Sequence, residues 1–197
     1  MTTVSREYLS VTETAGLVRQ ALKQAFPAVK FSVRSKSYAG GASINVQWTD
    51  GPRTKRVGPI IERFEGKQFD GMIDFGYGVE HYLKPDGTPY LRHDPGTGGQ
   101  LGSIPETDNR HLDTVMPEGV RRVRFGADYV FSRRDISDEE NKIAQVTAWL
   151  REHCVIEKHP TDTKLDRFGN RWLSDLARNM AHDWEDGEDV RTVFDRN

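Results

Sequence analysis

The chain has 197 residues, 36% of them apolar and 29% charged, with a net charge of −2. That is enough for one domain, or for one domain with a helical appendage, around a modest core in a soluble protein. A single cysteine, Cys154, excludes an internal disulfide and suits a reducing compartment. No apolar run approaches the roughly 20 residues needed to span a bilayer, and the opening MTTVSREYLS lacks the basic-then-apolar pattern of an export signal. The charge is unevenly spread. Residues 1–64 hold 10 Lys/Arg against 4 Asp/Glu, and residues 65–197 hold 18 against 26.

In chain order, a helix is expected from about Val11 to Phe26. Ser10 with Glu13 forms a capping box, Ala15, Val18, Leu22 and Ala25 form an apolar stripe, and Pro27 ends the helix. A β-hairpin follows over 30–51. Phe31 and Val33 alternate with polar residues, as do Ile44, Val46 and Trp48, on either side of Gly40-Gly41. Its apolar face needs a cover, and the first helix is the nearest. A second helix runs from about Thr54 to Phe64, either starting at Pro59 or kinked there. A strand is expected over Met72–Tyr77. The glycine- and proline-rich segment 84–117 reads as a long loop with a short hairpin near Asp86-Gly87. Val120–Ser132 reads as one strand, or as two bent at Gly126. Ser137 with Glu140 makes a second capping box, ahead of a helix whose stripe is Ile143, Val146, Leu150 and Cys154. A last helix covers about 170–184, followed by an acidic, frayed tail. The fold class is therefore α+β: an antiparallel sheet of three to five strands packed against helices, with an α-β-β-α start and two C-terminal helices. The organisation expected is an α+β domain over 1–135 and a helical extension over 136–197.

One resemblance is carried by particular residues. Tyr8-Leu9-Ser10-Val11-Thr12-Glu13-Thr14-Ala15, Lys30-Phe31-Ser32-Val33-Arg34-Ser35, Ser37-Tyr38-Ala39-Gly40-Gly41-Ala42-Ser43-Ile44, Trp48-Thr49-Asp50-Gly51-Pro52 and Phe69-Asp70-Gly71-Met72-Ile73-Asp74 together resemble the large polyvalent protein associated domain families. These are small α+β modules encoded by phages and conjugative elements. The resemblance covers about the first 100 residues, and Tyr129-Val130-Phe131 and Asp166-Arg167-Phe168-Gly169-Asn170-Arg171-Trp172 continue it less clearly. It implies a mobile-element protein working in the host bacterial cytoplasm, and it implies no catalytic residue.

Several residue groups could carry chemistry. Arg34, Lys36, Tyr38, Asn45 and Gln47 leave the polar face of the hairpin, and Arg53, Lys55 and Arg56 follow it. Cations beside an exposed ring are what single-stranded nucleic acid requires, although an antiparallel sheet normally has one solvated face anyway. Arg121, Arg122, Arg124, Arg133 and Arg134 extend this patch or alternate with core positions. Asp70, Asp74, Glu80 and His81 are raw material for acid–base catalysis, with His93-Asp94 nearby, although a polar loop rim is the simpler account. His153, Cys154 and His159 lack metal-site spacing, and Cys154 falls on an apolar stripe. The glycines at 96, 98, 99 and 102 match no phosphate-binding pattern. Trp172 and Trp184 read as core, and Trp149 lies off its helix stripe. No cofactor or metal is expected.

The leading expectation is a non-enzymatic accessory protein that engages a host protein complex, with counter-defence of the anti-CRISPR or anti-restriction type as its role. Direct DNA or RNA binding through the 30–50 hairpin is the alternative. An enzyme using Asp70, Asp74 and His81 ranks third, and no membrane partner is expected.

Overall fold

A computed structural model describes residues 7–72, 74–89, 91–94, 102–105 and 118–196. The chain forms two compact units. One comprises 1–48 with 55–133, and the other comprises 49–54 with 134–197. Helices and strands are mixed throughout, so the fold is α+β.

The first unit opens with β1 (Glu7–Leu9) and α1 (Val11–Ala25). The expected capping box is present: the Glu13 amide donates to Ser10 Oγ, and the Ser10 amide donates to the Glu13 carboxylate at 2.8 Å. These bonds satisfy amide donors that a helix start leaves open, and the Ser10 hydroxyl, together with the Ser10 amide, donates to the Glu13 carboxylate and holds it below its usual range. Next come β2 (Ser32–Tyr38) and β3 (Gly41–Thr49), paired antiparallel from Ser32–Gln47 to Tyr38–Gly41. Gly40 takes the positive φ that this two-residue connection demands. Helix α2 (Thr54–Ile61) runs through Pro59 and tightens into a 3₁₀ turn over Glu62–Phe64. It starts well before the proline.

Where one strand over 72–77 is expected, the chain instead makes a hairpin. β4 (Lys67–Asp70) pairs antiparallel with β5 (Phe75–Gly78), with turn residues 71, 72 and 74 between them. Asp70 Oδ1 accepts the Met72 amide at 2.9 Å, and Asp74 takes a positive φ. These turn signals belong to the Asp residues and outweigh the apolar character of the run. β6 (His81–Leu83) is followed by a turn at Asp86-Gly87, closed by the Leu83–Pro89 bridge, as expected. β7 (Leu91–Asp94) and β8 (Gly102–Pro105) pair antiparallel inside the segment read as loop. The glycines at 96, 98 and 99 lie outside the described residues.

β9 (Arg121–Phe125) and β10 (Tyr129–Asp135) are two strands broken at Gly126, the second of the two readings. A side chain at Gly126 would stand 2.4 Å from the Leu9 carbonyl oxygen and 2.6 Å from the Val11 nitrogen. Only glycine admits that approach. The strands form two three-stranded sheets, β1-β9-β6 and β10-β3-β2, instead of a single one, and β1 runs parallel to β9. Val18 and Leu22 of α1, Ile44, Val46 and Trp48 of β3, Ile61 and Phe64, and Val123 and Phe125 of β9 share one core. The first helix therefore covers the apolar face of the hairpin, as its stripe predicts.

The second unit contains α3 (Glu139–His153), a 3₁₀ turn over Thr163–Leu165, the short strands β11 (Arg167–Phe168) and β12 (Arg171–Trp172), α4 (Leu173–Asp183) and α5 (Val190–Arg196). Val146, Leu150, Leu173, Leu176, Ala177, Met180 and Val193 form its core. Three expectations are corrected here. The Ser137–Glu140 capping box does not form: Asp138 holds the N-cap position of α3 without a side-chain cap bond, and Ser137 Oγ donates instead to Asp50 Oδ2 at 2.6 Å. The tail does not fray: α5 is tied down because Arg196 donates to Asp183 and Glu188. Trp172 is not core, being 38% exposed beneath the Arg167 guanidinium, 4.2 Å from its ring centroid. Trp149, off its stripe, packs against this core beside Phe194, with ring centroids 5.1 Å apart.

Among the described residues, no helix is long and apolar enough to cross a membrane.

Candidate nucleic-acid interface

The β10-β3-β2 sheet has an open face, and alternation decides what it carries. On β3, Ile44, Val46 and Trp48 are buried while Asn45 and Gln47 are exposed. Pairing sets Arg34 opposite Asn45, and Lys36 and Tyr38 lie on the same side of β2 as Arg34. On β10, Val130 and Arg134 point inward, whereas Phe131 is 54% exposed and Arg133 is exposed. Tyr129 shares their side, its ring centroid 6.2 Å from that of Phe131. Tyr38 is 47% exposed. The open face therefore presents Arg34, Lys36 and Arg133, the rings of Tyr38, Tyr129 and Phe131, and the amides of Asn45 and Gln47. Neither 32–48 nor 129–133 contains an Asp or Glu. The face is bordered by Asp128, whose carboxylate lies against Gly41 and pairs with Lys67 at 3.0 Å, and by Asp135 at the end of β10.

The other three basic candidates are not on this face. Arg53 belongs to the second unit and is ion-paired with Asp183 at 3.2 Å and with Glu185 at 3.1 Å. Lys55 and Arg56 are exposed on the first turn of α2, and the Arg56 guanidinium rests 5.4 Å from the Phe26 ring centroid. Among the other arginines, Arg121 pairs with Glu7 at 2.8 Å and Arg122 with Glu80 at 2.6 Å. Arg134 is buried and bonds backbone carbonyls of its own unit. Tyr129 and Phe131 are the residues that sequence reasoning left out of the site. Their alternation with Val130 was legible, but which strand β10 would join was not.

The acid and imidazole residues are spread apart. Asp70 and Asp74 are in the β4–β5 hairpin, and the Glu80 carboxylate is held by Arg122. His81 is 1% exposed, stacked 4.4 Å from Phe125, with Nε2 2.7 Å from the Glu65 carbonyl oxygen. That bond requires the proton on Nε2. Among the described residues, Nδ1 is then a bare acceptor, buried and without a partner. Burial pushes the imidazole down to about 4, against the raising effect of the Glu65 carbonyl. His93 and Asp94 are on β7.

His153 stacks on Trp149 at 4.6 Å, with Nδ1 3.0 Å from the Trp149 carbonyl oxygen. Cys154 caps α3 and packs against the second core, where burial pushes its thiol up. His159 Nδ1 lies 3.2 Å from the Asp162 amide nitrogen. Among the described residues, no group of three His, Cys, Asp or Glu side chains is placed to hold a metal ion.

A family model, that of large polyvalent protein associated domain 29, matches residues 9–137. The match contains every residue of the open face. No curated protein and no solved structure matches the chain.

Proposed function

This chain belongs to that family, with the mobile-element association it implies, and we propose that it is an accessory protein binding single-stranded nucleic acid across the open face of the β10-β3-β2 sheet. One observation carries this reading. Three cations, three aromatic rings and two amides share one sheet face. Arg34, Lys36 and Arg133 serve phosphates, while Tyr38, Tyr129 and Phe131 offer flat apolar surfaces on which unpaired bases stack. Asn45 and Gln47 supply donors and acceptors between them. A duplex keeps its bases stacked on each other and gains only the phosphate contacts.

The test is fluorescence anisotropy with a labelled 12-nucleotide DNA strand and its duplex. About three phosphate contacts give a single-strand affinity that falls roughly fifteenfold between 50 and 200 mM salt. Phe131→Ala and Tyr38→Ala each weaken binding by about fivefold or more, the loss of one stacked base. Binding indifferent to both substitutions and to salt would overturn the reading.

A second reading, engagement of a host protein in counter-defence, draws on a different feature. The β4–β5 hairpin exposes Phe69 at 54%, Met72 at 69% and Phe75 at 56%, more apolar surface than one short hairpin ordinarily leaves in water. Capture of one stoichiometric protein from bacterial lysate that survives nuclease, and is lost with Phe69→Ser and Phe75→Ser together, would favour it.

A further inference from the structure

β2 is one of the two outer strands of its sheet, and only one side of its backbone is used by β3. The two-residue connection Ala39-Gly40 closes on the pair Tyr38–Gly41. This places the even-numbered residues of β2 in hydrogen-bonded pairs and turns the N–H and C=O groups of Val33, Ser35 and Ser37 outward. A separate contact agrees: the Arg19 guanidinium donates to the Val33 carbonyl oxygen at 2.8 Å. Among the described residues, no backbone or side-chain group bonds the outward N–H and C=O of Ser35 and Ser37. Beside the start of this edge lies a pocket of about 420 Å³. Its apolar wall is Leu22, Val29, Phe31 and Val33, and its charged lining is Arg19, Lys23 and Lys30, with no carboxylate. Lys23 and Lys30 are exposed.

We propose that this edge accepts an extended acidic segment of a partner protein as an added strand. Its backbone pairs with Ser35 and Ser37, an apolar side chain on the core side enters the pocket, and its carboxylates meet Lys23 and Lys30 and, on the outer side, Arg34 and Lys36. An unpaired strand edge is a template for another chain, and the charge around this one selects the occupant. A second copy of β2 brings Arg34 and Lys36 against their own kind and no acid, so self-pairing is repelled. The edge shares Arg34 and Lys36 with the open sheet face, but the backbone of Ser35 and Ser37 and the pocket beside Lys23 and Lys30 belong to the edge alone.

The test uses the full chain and two labelled nonapeptides, one repeating Glu-Glu-Val and one repeating Lys-Lys-Val, so that each strand face carries both charge and an apolar side chain. The acidic peptide binds and weakens with salt, and the basic one does not bind. Ser35→Pro removes one outward N–H and leaves the pairing with β3 intact. It weakens the acidic peptide at least tenfold, while binding of the 12-nucleotide strand is unchanged. Lys23→Glu combined with Lys30→Glu has the same effect on the peptide, and these two exposed positions keep the test decisive if the proline variant does not fold. No binding of the acidic peptide at millimolar concentration, equal binding of the two peptides, or full binding by a folded Ser35→Pro variant would overturn the proposal.

Discussion

His81 links burial to acid sensitivity. Its imidazole stays neutral in the folded chain down to about pH 4, against 6.5 for the exposed group. Between those values the unfolded chain binds the extra proton, so folding free energy falls as pH falls through that window and is regained above it. A shift of this size corresponds to about 3 kcal/mol. His81→Phe keeps a ring against Phe125 and removes the titration. Urea midpoints measured from pH 7 to pH 4 are expected to fall more steeply for the natural chain than for this variant. Parallel curves would show that some other group sets the acid response. The same burial explains why an acid–imidazole cluster in the sequence is not a cluster in space. All three residues of β6 are buried, His81 among them, whereas Glu80 just before the strand turns to Arg122.

The helices and strands divide by how local their signals are. The α1 capping box, its apolar stripe and the β2–β3 hairpin rest on contacts within a few residues, and all were legible. The second capping box had the same spelling but a different outcome, because Asp50 offers Ser137 two bonds and Lys142 adds charge nearby. Nothing in the local sequence announces Asp50. Arg134 is the same lesson on a larger scale. Its guanidinium donates to Asp50 O, Gly51 O, His182 O and Trp184 O at 2.7 to 3.1 Å, fastening the 49–54 segment to the end of α4. Burial pulls its pKa down, and the acids Glu185, Asp50, Asp186 and Asp183 oppose this. Arg134→Met leaves those carbonyls without a donor and is expected to cost about 3 kcal/mol or more. Lysine at this position cannot reach all four. Denaturant unfolding followed by tryptophan emission checks both variants, and a loss below about 1 kcal/mol would contradict the fastening role. At α5, Arg196 holds Glu188 down to about 2, chiefly by its side-chain hydrogen bond. Arg196→Ala should raise amide exchange across 190–196 while leaving α4 protected.

Across the molecule, the charge asymmetry read from composition has a structural counterpart only in part. Of the ten basic residues in 1–64, Arg34 and Lys36 reach the open sheet face, and Lys23 and Lys30 reach the groove at its edge. Arg53 is consumed by the acids of the second unit. The face was half legible. The hairpin carried its own alternation, but the third strand arrives from some 80 residues further on, and pairing at that separation leaves no mark in local sequence. It is β10 that adds two rings and a third cation. The most direct test of the account is amide NMR of the labelled chain titrated with the 12-nucleotide strand. Shifts concentrated in β2, β3 and β10, with 139–196 unmoved, are the predicted result. Shifts confined to other elements, or none at strand concentrations that saturate anisotropy, would contradict it.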